Sequence, residues 1–125
     1  MLMAIPNFEG YSIDDETGLV YSHKSQKYLP MKPNRKGYGR TELYNKGKRK
    51  HIFNHIKVVE VHGDSKGNRI PAGWKTIINR GMSIDHLNAN KMDPSRKNLE
   101  LIRHSENVQR HYERAMNTEC VIPDL

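Results

Sequence analysis

Glycine and polar turns cut the first half of the chain into short apolar pieces. Tyr11–Ile13, Leu19–Ser22, Tyr28–Met31, Tyr38–Tyr44 and His51–Phe53 are β-prone. The spacers Thr17-Gly18, Asn34 to Gly37 and Asn45-Lys46-Gly47 carry turn chemistry. This pattern predicts a small antiparallel sheet. From Asn54 to His62 the apolar positions Ile56, Val58, Val59 and Val61 predict a helix, which Asn54 can cap and Gly63 can end. The β-branched run over 56–61 would also suit a strand. A polar connector, Asp64 to Gly81, contains Pro71, Gly73 and Trp74. Strand Met82–Leu87, a polar loop Asn88–Lys97 and strand Asn98–Arg103 then predict a hairpin. Ser105 can cap a helix to about Met116, whose Val108, Tyr112, Ala115 and Met116 fall on one face and predict its packed side. Residues 117–125, with Pro123, are expected to fray. The expected class is α+β: a strand-rich module with a helix over 1–63, a connector over 64–81, a hairpin-plus-helix unit over 82–116 and a tail over 117–125.

Composition adds a partner. Hydrophobic residues make up 35% of the 125, so the core is thin and supports one domain or two small modules sharing it. The 21 Lys and Arg exceed the 14 Asp and Glu by seven, and ten of the 21 lie between Lys24 and Lys50, where Glu42 is the only acid. A sheet with one basic face is expected to meet nucleic acid, with Lys32, Arg35, Lys36, Arg40, Lys46, Lys48, Arg49 and Lys50 as its contacts. Arg103, Arg110 and Arg114 form a second basic cluster. A membrane is not expected, since no apolar run approaches the ~20 residues of a span and no basic helix has a large apolar face. The apolar start Met1–Ile5 stops at Pro6-Asn7, too short for a signal-peptide core. The one cysteine, Cys120, excludes an internal disulfide and a cysteine-based zinc cage, so a reduced, cytoplasmic setting is expected. His51 and His55 have i, i+4 spacing, but no cysteine supports zinc there, and packing support is the default role for His55.

The chemistry concentrates in Asp85-His86, Asn98 and Asn107. A hairpin with a helix across it brings strand ends and helix start together, gathering a carboxylate, an imidazole and two amides beside basic surface. Hard divalent cations take oxygen ligands and Mg²⁺ keeps several waters, so one Asp and one Asn can suffice. A neighbouring neutral histidine can take a proton from water at pH 7.

In Asp85-His86, Asn98-Leu99-Glu100 and His104-Ser105-Glu106-Asn107-Val108 the sequence resembles the HNH endonucleases of the ββα-metal fold, closest to the small homing and nicking enzymes common in phages and introns. The upstream pieces Ile5-Pro6, Tyr11-Ser12-Ile13, Gly18-Leu19-Val20-Tyr21-Ser22, Gly37-Tyr38-Gly39-Arg40 and Leu43 to Lys50 resemble the strand-rich module that precedes the nuclease in such proteins. The resemblance implies His86 as general base, Asp85 and Asn107 as ligands of a single Mg²⁺ or Mn²⁺, and Asn98 as the middle residue that orients His86 or braces the hairpin loop. It also implies cleavage of double-stranded DNA to 3′-hydroxyl and 5′-phosphate ends. Two departures stand out. The last HNH position is Asn107, as in the nicking homing enzymes, and Lys75–Ser83 lengthens the link that precedes Asp85. A monomer that nicks is expected, because no heptad pattern argues for a dimer and a single site cuts one strand per visit. With no helix-turn-helix after the second helix, recognition is expected to fall largely to the basic sheet. The rival expectation is a DNA-binding or host-interaction protein that kept this scaffold without cutting. His111, one turn after Asn107, is assigned to phosphate or solvent.

Overall fold

The computed structural model describes residues 1–71 and 81–121. Its class is α+β, and the described residues form three small antiparallel sheets and two α-helices. The first sheet is a meander of β1 (Leu2–Ala4), β2 (Tyr11–Asp14), β3 (Val20–Ser22) and β4 (Lys27–Tyr28). The second contains β5 (Lys32–Pro33), β6 (Gly39–Asn45) and β7 (Lys48–Phe53). Helix α1 (Asn54–Val61) follows directly, and the hairpin β8 (Met82–His86) and β9 (Leu99–Arg103) leads into α2 (His104–Val121). Connector residues 72–80, Trp74 among them, lie outside the described residues.

The expected single sheet is thus two. Tyr28–Met31 does not form one strand, because Pro30 has no N–H to donate. Instead Lys27–Tyr28 pairs with β3 and Lys32–Pro33 pairs with β6. At the β6–β7 turn Lys46 and Gly47 both take positive φ (53° and 79°), the two-residue geometry that matches strand twist and lets Asn45 pair with Lys48. Between Asn34 and Gly37, the Asn34 side-chain oxygen accepts the N–H groups of Lys36 and Tyr38.

Helix α1 is the hub. Its Val58, Val59 and Val61 join Ile5, Ile13, Val20, Leu43 and Ile52 from the strands and Ile84 and Leu99 from the hairpin in one continuous core. Asn54 does not cap the helix. Phe53 holds the N-cap position, and the buried Asn54 amide accepts from Thr41 Oγ1 (2.8 Å) and donates to the Gly18 carbonyl (2.8 Å), joining the two N-terminal sheets. Gly63 does end the helix, at φ 97° with its N–H on the Val58 and Val59 carbonyls. The buried Asp64 beyond it accepts the N–H of Leu101 (2.7 Å) and so fastens the connector to β9.

Helix α2 departs furthest from expectation. It starts at His104 rather than at a Ser105 cap and runs to Val121, past the expected end near Met116. Its apolar stripe of Val108, Tyr112, Ala115 and Met116 faces solvent. The opposite, polar stripe of Asn107, Arg110 and Arg114 meets the hairpin through hydrogen bonds and ion pairs, which outcompete apolar packing because β8 presents Ser83 and Asp85 to it. Among the described residues no helix is long and apolar enough to cross a membrane.

The first sheet also leans on the hairpin loop, where the Arg96 N–H bonds the Asp15 carbonyl (2.9 Å). At Gly18, φ is +73° and an added Cβ would lie 2.5 Å from both the ring and the carbonyl of Pro94. Gly18→Ala combines a strained φ with overpacking and is expected to cost about 1–3 kcal/mol. Urea unfolding checks this: the midpoint should fall at unchanged slope, and an unmoved midpoint would mean that the contact is not maintained in solution.

Candidate functional site

The site forms where β8 ends between the two helices. Alternation along the strand sends Asp85 and His86 to opposite faces, Asp85 towards α2 and His86 towards α1. The two are joined by charge rather than contact.

His86 is buried and held by rings. Its imidazole lies 5.0 Å from the His55 ring and 5.7 Å from that of Tyr38, and Tyr38 stacks on His55 at 5.1 Å. Lys91 Nζ sits over the outer face of Tyr38, 4.9 Å from its centroid, and donates to the Lys36 carbonyl (3.0 Å). Nε2 of His86 and Nδ1 of His55 are buried and find no hydrogen-bond partner among the described residues. Burial therefore pushes His86 down from 6.5 to about 4, against the pull of the Asp85 and Asp93 charges. The charges of Lys91 and of the exposed His111 act in the same sense as burial. His55 falls further, to about 3, through burial and the neighbouring His86. Both imidazoles are neutral at pH 7.

Asp85 is fully buried in an ionic network. Arg114 grips it with two bonds, Nη1 to Oδ1 (3.0 Å) and Nη2 to Oδ2 (2.9 Å), and Arg110 adds a third to Oδ2 (3.0 Å). Arg110 also donates to Glu100 (2.6 Å) and Glu106 (3.1 Å), and Lys66 pairs with Glu100. Burial pushes the Asp85 carboxyl up, but the Arg114 and Arg110 guanidiniums outweigh it and hold the group below the usual carboxylate range.

Asn107 Nδ2 donates to Ser83 Oγ (2.8 Å), and its Oδ1 is buried with no partner among the described residues. Ser83 and Asp85 share one face of β8, so the Asn107 amide lies on the side of the strand that carries the carboxylate. A carboxylate and an amide oxygen are the donor types that an oxygen-seeking divalent cation takes. Among the described residues no cluster of three or more His, Cys, Asp or Glu is arranged for a metal. Mg²⁺ needs no such cluster, whereas zinc would. His62 is engaged elsewhere, donating to the Ile13 carbonyl (2.8 Å).

Asn98 ends a 3₁₀ turn instead of starting the strand. Its Oδ1 accepts the Asn88 N–H (2.8 Å) and its Nδ2 donates to the Asp93 carbonyl (2.9 Å), so the side chain braces the hairpin loop and makes no described contact with His86.

The eight basic candidates are exposed or half-exposed, but they do not share one face. Register sets Lys32, Arg40 and Arg49 on the outer face of the second sheet, where Glu42 pairs with Arg49 (2.9 Å). Lys48 and Lys50 follow Leu43 on the other face, and Lys46 tips the turn. Arg35 and Lys36 lie in the turn that Lys91 ties to the hairpin loop, next to His86. Sequence reasoning missed Tyr38, Lys91 and the grip of Arg110 and Arg114 on Asp85. The arginines carried a readable signal, since they follow Asn107 at i+3 and i+7 on one helical face.

No family model matches the chain, and no curated protein matches it. Among solved structures it is similar to the HNH homing endonuclease I-HmuI, described for its DNA binding and cleavage, at TM-score 0.70 and 28% sequence identity. The match covers 92% of this chain and 59% of that one, so the chain spans less than two thirds of its relative's length. The fold is HNH-like.

The two depressed histidines make stability depend on pH. Unfolded, each binds a proton below about 6.5; folded, neither does until about pH 4 and 3. Their contribution is complete above pH 6.5 and is lost as pH falls through that window, with a slope approaching about 1.4 kcal/mol per pH unit for each group. His55→Phe keeps a ring against Tyr38 and removes one titrating group. Urea midpoints measured between pH 7 and 4.5 should then fall less steeply than in the wild type, and equal slopes would refute the buried neutral pair.

Proposed function

We propose that this chain is a metal-dependent HNH endonuclease of the homing or nicking type, hydrolysing phosphodiester bonds in double-stranded DNA. The observation that carries the reading is His86: a neutral, buried imidazole at a strand end, oriented by rings and keeping Nε2 out of any described hydrogen bond, beside a basic turn. Such a group can accept a proton from an attacking water at neutral pH. In this reading Tyr38 and His55 fix the plane of the His86 ring, while Asn98 acts as a positioning residue by keeping the loop after β8 in shape.

Asp85 and Asn107 would hold one Mg²⁺ or Mn²⁺, which when bound supplies positive charge for the pentacovalent phosphate and the leaving oxygen. Residues 1–63 serve as the DNA-binding module and 82–116 as the nuclease motif. Arg35 and Lys36 meet the phosphates nearest the site, and Lys32, Arg40, Lys46, Lys48, Arg49 and Lys50 extend the contact along the second sheet. The protein acts as a monomer in the cytoplasm, cuts one strand per visit, and leaves 3′-hydroxyl and 5′-phosphate ends.

A second reading, a DNA-binding protein on the same scaffold that does not cut, draws on the engagement of both Asp85 oxygens by arginine. Supercoiled plasmid incubated with protein and Mg²⁺ or Mn²⁺ separates the two. Nicked circles are expected, and their absence in either metal, with DNA binding intact, would favour the second reading.

His86→Ala should reduce single-turnover cleavage by at least about 10²-fold while DNA affinity stays within a few-fold, because a general base contributes to the transition state and little to ground-state binding. A wild-type rate in this variant would remove His86 from the chemistry. For the interface, log affinity should fall with log salt at about −0.9 per phosphate neutralised. Replacing Arg35, Lys36 and Arg40 together by alanine should make that slope shallower and weaken all sequences alike, with cleavage recovering at saturating protein. An unchanged slope would take the second sheet out of the interface.

A further inference from the structure

Asp85 is the carboxylate that the reading above assigns to the cation, yet its two oxygens are held by two guanidiniums. The Arg114 fork spans both oxygens and Arg110 adds a third bond, all between 2.9 and 3.0 Å. The described ion pairs around Asp85 carry charges of both signs without any metal. Asp85, Glu100 and Glu106 bring three negative charges; Arg110, Arg114 and Lys66 bring three positive ones. A divalent cation entering at Asp85 and the Asn107 oxygen would place two further positive charges beside two arginines.

The guanidiniums are also placed to leave. The Arg110 and Arg114 side chains keep 27% and 33% of their surface exposed, whereas Asp85 keeps none. A phosphate offers a guanidinium the same forked geometry as a carboxylate and brings negative charge of its own.

We propose that Arg110 and Arg114 form a clasp that closes Asp85 to divalent metal in the free protein and opens onto DNA phosphate, so that metal and DNA bind cooperatively. The proposal rests on the nuclease reading and adds to it a control on when the site loads. By linkage, whatever factor DNA adds to metal affinity, metal must add to DNA affinity. A metal-free protein would then stay structurally complete, its active carboxylate neutralised by its own side chains.

The test uses Mn²⁺ as the probe, followed by paramagnetic resonance and calorimetry in the His86→Ala background, so that a mixed-sequence duplex remains uncut. In that protein Mn²⁺ should bind at least about tenfold more tightly with the duplex than without it, a coupling of ordinary size for linked sites. Arg114→Gln should raise Mn²⁺ affinity of the DNA-free protein by about the same factor and shrink the coupling. Arg103→Gln, the same charge loss on the exposed end of β9, should leave both unchanged. If Arg114→Gln fails to fold, the comparison with and without duplex in the His86→Ala protein still decides. Binding that requires Asp85, shown by its loss in Asp85→Asn, but is equally tight with and without DNA overturns the clasp alone. Binding that Asp85→Asn leaves untouched overturns the clasp together with the assignment of the metal to this carboxylate.

Discussion

A primary amide buried at the start of α1 joins the two N-terminal sheets to the rest of the molecule. Asn54 has no exposed surface, and an amide taken out of water without partners costs a few kcal/mol. Its oxygen takes the Thr41 hydroxyl and its nitrogen reaches the Gly18 carbonyl, so neither sheet can shift without leaving a buried polar atom unpaired. The helix so fixed lies between the strands and the hairpin, and its next residue, His55, is delivered against His86. The geometry of the candidate base is therefore inherited from a hydrogen-bonding problem solved one residue earlier.

From that joint the site divides by strand pleat. One face of β8 is dry and aromatic, where desolvation keeps an imidazole neutral. The other is ionic, where arginines keep a carboxylate charged despite complete burial. Two adjacent residues thus receive opposite environments, one that keeps an imidazole neutral and one that keeps a carboxylate charged. Asn98 supports the hairpin loop that follows β8 from within by giving both ends of its amide to backbone groups.

Much of this was legible in the chain. The turns at Asn34 and at Lys46-Gly47, the helix over 54–62 with its terminal glycine, and the hairpin around residues 88–97 all carry local signals in glycine, asparagine and apolar spacing. What failed did so for non-local reasons. Asn54 reads as a cap, but tertiary partners outbid the helix N-terminus for its amide. The stripe of Val108, Tyr112 and Met116 reads as a packed face, yet the strand opposite presents Asp85 and Ser83, and the helix turned its arginines inward to meet them. Periodicity reports that a helix has two faces; it cannot report which one the partner demands. Nor could one-dimensional pattern place Tyr38 beside His86, since 48 positions separate them and only the fold closes the distance.

The contact between Gly18 and Pro94 carries a consequence for how such a protein can change by exchange of parts. Strand-rich modules and HNH hairpins look separable on paper, each with its own elements and its own apparent task. Here a glycine in the first sheet leaves no room for a side chain against a proline of the hairpin loop, and the backbone at Arg96 completes its hydrogen bonding on Asp15. A recombination event that swapped either half alone would bring a mismatched pair of surfaces to that seam. Gly18 and Pro94, 76 residues apart, are therefore constrained together, and a change at one must be answered at the other.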